Sequence, residues 1–274
     1  MRTKWYLAAV VILFFGLLIG CGRKEKGTGD DLIVAMELVY PPFETKDEQG
    51  NPSGVGVEIA KALGEYLGRP VRIENTAWDG LIPSLQTGKA DVVISSLTIT
   101  EERAQQVDFS KPYANSLLAL LTYTESQISS VEDLNQAGKR IAVKAGTTGH
   151  LYAQNYLPNV ELIVLSNESS CITEVAQGKA DGFIYDQLSI YYSWQKHKDT
   201  TTPVFIPFQE VDYWGMAVKK GNTKLLEQVN AFIDSCRENG EFDELTERYL
   251  SEEKQAFEEF GFQWFFDVKQ EETE

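Results

Sequence analysis

The sequence predicts an α/β protein assembled from two units of similar build, and three observations carry that expectation. Short apolar strands alternate with helical stretches. Leu32-Ile33-Val34-Ala35 is followed by Ile59, Ala62, Leu63, Tyr66 and Leu67 at helical spacing, and then by Val71-Arg72-Ile73. That alternation calls for mostly parallel sheets with helices on their faces. A repeat introduces an apolar strand twice: Gly88-Lys89-Ala90-Asp91-Val92-Val93-Ile94-Ser95-Ser96 aligns with Gly178-Lys179-Ala180-Asp181-Gly182-Phe183-Ile184-Tyr185-Asp186. The two copies end on Ser96 and Asp186, at the carboxyl ends of strands, where open α/β sheets gather their ligands.

The first twenty residues read as a separate device. Arg2 and Lys4 precede an apolar run from Trp5 to Gly20, short for a membrane span of roughly 20 residues, so a secretory signal is expected. Leu18-Ile19-Gly20-Cys21 resembles the lipobox of bacterial lipoproteins, which implies cleavage before Cys21 and lipidation of its sulfur. Residues 21–30 are small, charged and patternless, a flexible tether. Removing residues 1–20 leaves 23 basic against 41 acidic side chains, a net charge of −18. That balance argues against nucleic acid and anionic lipid surfaces as partners.

Along the remaining chain, Tyr40-Pro41-Pro42-Phe43 forms a stiff extended turn. Gly50-Asn51-Pro52 marks a loop, and Gly68 stops the first helix. After Trp78-Asp79-Gly80 a short helix runs from Leu81 to Thr87. The buried strand Asp91 to Ile94 then leads into Ser95-Ser96-Leu97-Thr98-Ile99-Thr100-Glu101-Glu102-Arg103. Thr100 reads as an N-cap with acids behind it. Arg103 in a first helical turn opposes the helix dipole. It is either a surface cation paired to Glu101 or Glu102, or the fork of a carboxylate socket.

In the second unit the strand Arg140 to Val143 enters Lys144-Ala145-Gly146-Thr147-Thr148-Gly149. This loop is an anion seat at a helix N-terminus or an ordinary strand-to-helix turn. It lacks the order of a phosphate-binding loop, which excludes nucleotide binding. Val160 to Leu165 is a strand and Ser170 to Ala176 a helix. A last strand spans Tyr213 to Val218. Leu225, Leu226, Val229, Phe232 and Ile233 make an amphipathic helix broken at Asn239-Gly240, and Phe242 to Leu250 forms another. The charged tail 251–274 carries Phe262-Gln263-Trp264-Phe265-Phe266, expected to pack on the body, with contact to another protein as the alternative. Two histidines and three cysteines show no metal-ligand spacing, so neither metal nor cofactor is expected.

Several of these motifs, in order, resemble those of the family 3 bacterial solute-binding proteins, the amino-acid receptors of ABC transporters. The resemblance runs from Tyr40-Pro41-Pro42-Phe43 through Trp78-Asp79-Gly80-Leu81-Ile82-Pro83 and Leu97 to Arg103. It continues in Val107-Asp108-Phe109-Ser110, Ala145 to Gly149, Tyr185-Asp186 and Trp214-Gly215-Met216-Ala217, covering about residues 31–250. It implies a two-lobed clamshell of the type II periplasmic-binding fold, each lobe a mixed, mostly parallel sheet flanked by helices, joined by two crossover strands. Lobe 1 would comprise 31–112 plus 215–250, lobe 2 residues 118–209, and the hinge 113–117 and 210–214, with 251–274 as an extension.

Carried over position by position, Arg103 holds a ligand α-carboxylate with Thr98, Ser96 and the Thr148 amide. Asp186, beside Tyr185, takes the α-ammonium, and Tyr40 and Trp78 sandwich the side chain. Such a zwitterion needs one fork-shaped donor and one acceptor, and each lobe supplies one. Glu37 and Lys144 resemble the pair that grips the side-chain amide in glutamine receptors, which points to a polar neutral amino acid such as glutamine; the bland alternative is that they pair with each other. Val55 and Gly56 depart from the family's usual aromatic and aspartate, further disfavouring a cationic ligand.

The resemblance implies a non-enzymatic, monomeric protein, exported and lipid-anchored at the bacterial cell envelope, delivering its ligand to a permease. Cys171 and Cys236 would lie in different lobes, so no disulfide is expected. The alternatives are a cyclohexadienyl or arogenate dehydratase on the same fold, which needs an acid in a dry pocket, and a sensor acting through a separate receptor.

Overall fold

Two five-stranded sheets, each with its own helices, are joined by a short two-stranded ribbon. The computed structural model describes residues 31–205 and 207–268; the leader, Cys21 and the tether lie outside them. The strands are β1 (Leu32–Met36), β2 (Thr45–Lys46), β3 (Pro52–Ser53), β4 (Val71–Asn75), β5 (Val92–Val93), β6 (Val107–Phe109) and β7 (Ala114–Ser116). They continue as β8 (Leu118–Tyr123), β9 (Arg140–Lys144), β10 (Glu161–Leu165), β11 (Gly182–Asp186), β12 (Thr201–Val204), β13 (Asp212–Trp214) and β14 (Ala217–Lys219). The helices are α1 (Val55–Leu67), α2 (Leu81–Gln86), α3 (Glu101–Ala104), α4 (Val131–Leu134) and α5 (Thr148–Tyr156). Then come α6 (Glu168–Ala176), α7 (Gln187–Lys196), α8 (Thr223–Asn239), α9 (Glu241–Tyr249) and α10 (Ser251–Phe260).

The first sheet has the order β4-β1-β5-β14-β6, with β4, β1 and β5 parallel and β14 antiparallel to both neighbours. The second repeats the plan as β10-β9-β11-β8-β12, with β10, β9 and β11 parallel and β8 antiparallel. The repeat seen in the sequence thus lands on equivalent strands: β5 and β11 are each the third strand of their sheets. Strands covered on both faces read as continuous apolar runs, which is why Val92-Val93 and Gly182-Phe183-Ile184 are fully buried.

Helix α1 presents Ile59, Ala60 and Leu63 to the first core and stops at Gly68, whose φ of 65° is a left-handed cap that glycine adopts without steric cost. Each lobe has two apolar clusters: in lobe 1 one around β1, α1, α8 and α9 and one around Leu81, Leu85 and Val93, and in lobe 2 one around Leu120, Val143 and Ile184 and one around Phe183 and Val175. Cys171 and Cys236 are free, buried thiols in different clusters. The ribbon between the lobes is the antiparallel pair of β7 and β13, with Ala114 opposite Trp214 and Ser116 opposite Asp212.

Two expectations are corrected. The strand expected over Tyr213 to Val218 is two strands, because the chain turns from the ribbon into the sheet at Gly215. A Cβ there would meet the side chains of Ile99 at 2.9 Å and Phe109 at 3.1 Å, so any larger residue would have to push them aside. The dipole conflict expected for Arg103 does not arise either: α3 has four residues, and Arg103 lies next to its C-terminal end.

Candidate functional site

One half of the site is built at the end of β5. Ser96 takes a left-handed φ of 47°, a conformation that costs a non-glycine residue roughly 1 kcal/mol or more. Its hydroxyl donates to Glu44 at 2.9 Å, while the Ser95 hydroxyl accepts from the Glu37 N–H at 2.9 Å. Thr100 then caps α3, accepting from the Arg103 N–H at 3.2 Å. This sequence of turn and cap swings Arg103 inward, to 6% exposure. Its guanidinium donates to the Thr98 carbonyl at 2.7 Å and, across the cleft, to the Gly146 carbonyl at 3.0 Å. Burial lowers its pKa to about 10, so it stays charged at neutral pH. Two of its five donors are thereby used.

The other half is at the end of β11. Asp186 is the N-cap of α7: its Oδ1 accepts from the Leu188 and Ser189 N–H groups at 3.0 Å and from the Tyr40 hydroxyl at 2.9 Å. The Ser189 hydroxyl adds a further hydrogen bond to this carboxylate, which lines the cavity. Burial raises the Asp186 pKa, opposed by these hydrogen bonds. Desolvation likewise raises Tyr40 and Tyr185 well above the ordinary phenol range.

At a third corner Lys144, 2% exposed, pairs with Glu37. The Trp78 N–H donates to the other Glu37 oxygen at 3.3 Å. The Trp78 ring has the Lys144 ammonium at 5.1 Å and the Arg103 guanidinium at 5.4 Å from its centre. Glu168, at the start of α6, is raised to about 7, chiefly by burial and then by the charge of Asp186.

These corners surround a cavity of about 50 Å³, room for a few water molecules. The lobes touch across it through the bonds of Arg103 to Gly146 and of Tyr40 to Asp186. Nine of the ten residues expected at the site line this cavity: Glu37, Tyr40, Trp78, Ser96, Thr98, Arg103, Thr148, Tyr185 and Asp186. Lys144 does not; its ammonium is withdrawn behind the wall by Glu37 and Trp78. Asp212 and Trp214 of the ribbon also line the cavity: Trp214 stands in one of the motifs but without a site role there, and Asp212 was missed because it sits in no pattern that separates it from an ordinary strand residue. Burial raises Asp212 to about 6, while Gln209, Arg103 and Thr148 pull it down. Among the described residues no cluster of three or more His, Cys, Asp or Glu is placed to hold a metal ion.

Glu44, also missed, stands behind Ser96. It is 1% exposed, and a Cβ at Gly56 would fall 2.2 Å from its Oε1, so the glycine makes the room this carboxyl fills. Burial, opposed by the Ser96 bond, raises its pKa from 4.5 to about 8. Between those values the folded chain binds a proton that the unfolded chain does not. Stability should therefore fall as pH rises from 4.5 toward 8, with a slope from this group of at most about 1.4 kcal/mol per pH unit. Urea unfolding across that range should give a flatter profile for Glu44→Gln than for the wild type; equal slopes would show that Glu44 is already ionised.

Comparisons with known proteins agree with this architecture. Residues 32–252 match the model of the bacterial extracellular solute-binding proteins, family 3. The L-cystine-binding protein TcyJ of Escherichia coli (strain K12) is 31% identical over 83% of this chain and 84% of its own length. The ABC transporter glutamine-binding protein GlnH of Bacillus subtilis (strain 168) is 30% identical over 92% of this chain and 99% of its own. Among solved structures, an ancestral amino acid-binding protein described as a precursor of cyclohexadienyl dehydratase superposes with a TM-score of 0.72 at 35% identity, covering 80% of this chain and 95% of that one. With two sheets of matching topology, a two-strand hinge and a family match across both lobes, the chain belongs to the family 3 bacterial extracellular solute-binding proteins.

Proposed function

We propose that the protein captures a polar, neutral amino acid, glutamine in the first instance, between its lobes and delivers it to the permease of an ABC transporter. It would do so from the outer face of a membrane, held by lipid on Cys21. The observation that carries this reading is the confrontation of Arg103 and Asp186, one from each lobe, across a single cavity. A carboxylate docks on the remaining guanidinium donors, helped by Thr98, Ser96 and the Thr148 amide. An ammonium docks on the Asp186 carboxylate. A ligand bound to both lobes favours the closed state through its higher affinity for that state.

The ligand's side chain then meets Glu37, Trp78 and Lys144. An amide entering between Glu37 and Lys144 accepts from the ammonium and donates to the carboxylate, replacing their ion pair without leaving either charge unpaired. A cationic side chain would instead approach Lys144 and a Trp78 ring that already has two cations beside it. A carboxylate side chain would meet Glu37.

Calorimetric titration of the twenty amino acids tests this: glutamine should bind tightest, and tightest binding of arginine would sink the assignment. Lys144→Met should reduce the preference for glutamine over other neutral amino acids by about tenfold or more, the worth of a hydrogen bond to a charged group, while changing affinity for the shared α-groups much less.

A further inference from the structure

The family match ends at residue 252, yet the chain beyond it buries Ala256, Phe257, Trp264 and Phe265. Phe257 and Phe265 are essentially unexposed and join the core of lobe 1. Trp264 donates to the Thr246 hydroxyl at 3.3 Å, and Phe266 stacks on Phe242 at 4.8 Å. These contacts anchor the segment on α9.

The same segment is bonded to the hinge. In β7, the Asn115 backbone N–H donates to the Phe265 carbonyl at 2.7 Å, and its side-chain amide donates to the carbonyls of Trp264 at 2.7 Å and Phe265 at 3.0 Å. The Phe265 ring stacks on Trp214 of β13, 5.6 Å between centres. Trp214 lines the ligand cavity, so Phe265 stands directly behind a wall of the site.

It also reaches lobe 2. Phe260 meets Tyr191 at 5.9 Å and Phe205 at 5.1 Å, Phe262 meets Phe205 at 5.0 Å, and the Tyr192 hydroxyl donates to Glu253. Three regions that must shift relative to one another when the cleft opens are thus tied by one stretch of chain. The contacts are made while the cleft is closed, with Arg103 bonded to Gly146 and Tyr40 to Asp186 across it. Rotation of lobe 2 away from lobe 1 would have to break or shear the Phe260, Phe262 and Glu253 contacts.

We propose that residues 251–268 form a strap across the hinge that seats Trp214 against the cavity and biases the lobes toward the closed arrangement. The lobe 2 side of the strap can be tested without touching the buried anchor, because Phe260 and Tyr192 are 42% and 38% exposed. In Phe260→Ser/Tyr192→Phe, small-angle scattering of the ligand-free protein should give a larger radius of gyration than the wild type. Amino-acid affinity should fall by about fivefold or more as the binding-competent closed fraction shrinks. The scattering readout needs no ligand, so it judges the strap separately from the proposed function. An unchanged radius of gyration in a variant with native circular dichroism would overturn the proposal, even if its melting temperature fell. Should the double variant not fold, Tyr192→Phe alone keeps the ring and removes only the bond to Glu253; the same shift at smaller amplitude is expected, and no shift overturns the strap.

Discussion

Arg103→Ala should weaken amino-acid binding by at least about a hundredfold. A carboxylate held by a guanidinium fork gains roughly 1.5–3 kcal/mol per charge-assisted bond, and two such bonds span two decades or more of affinity. The fold should survive. Arg103's own bonds go to the Thr98 and Gly146 carbonyls, and α3 keeps the hydroxyl cap of Thr100. Calorimetry alongside circular dichroism separates the two effects. Affinity near the wild-type value in a folded variant would refute the carboxylate role.

Asp186→Asn should do comparable damage, for a different reason. Asparagine caps a helix as well as aspartate, so the bonds from the Leu188 and Ser189 N–H groups persist and α7 keeps its start. What disappears is the negative charge available to a ligand ammonium in a buried site. Affinity should drop by about tenfold to a hundredfold, the worth of a charge-assisted over a neutral contact. The melting temperature should hold or rise, since the variant no longer buries a carboxyl whose pKa desolvation has raised. Unaltered binding would mean that the ammonium sits elsewhere, with Glu37 and Asp212 the other acids of the wall.

The parts of this site written in short-range sequence were the legible ones. Ser96 and Asp186 lie at equivalent points of a visible repeat, and strand-end placement pointed both at one cleft. Tyr40 and Trp78 stand in motifs rich in Pro and Gly, whose backbone constraints can be read locally. Glu44 and Asp212 were not legible because their importance is a matter of burial. Glu44 is an ordinary-looking acid until Gly56 is found to make room for it, and Asp212 acts only where the ribbon crosses the cleft. Lys144 was legible only in part, for a related reason. Its position in the loop was readable, but the orientation of its long stem is set by Glu37, 107 residues earlier, and by the Trp78 ring. The break at Gly215 was missed because an apolar run does not reveal that the chain changes sheets within it. The tail's aromatic cluster announced burial without naming its partners, which are Trp214, Phe43 and the free edge of β7.

The central claim is that one ligand presents its α-carboxylate to Arg103 and its α-ammonium to Asp186 at once. It is tested most directly by titrating the tightest-binding amino acid beside its α-methyl ester and its N-acetyl derivative. The account predicts that each derivative, lacking one charge, binds at least about tenfold more weakly than the parent, since each loses a charge-assisted contact. Retention of full affinity by either derivative would contradict it.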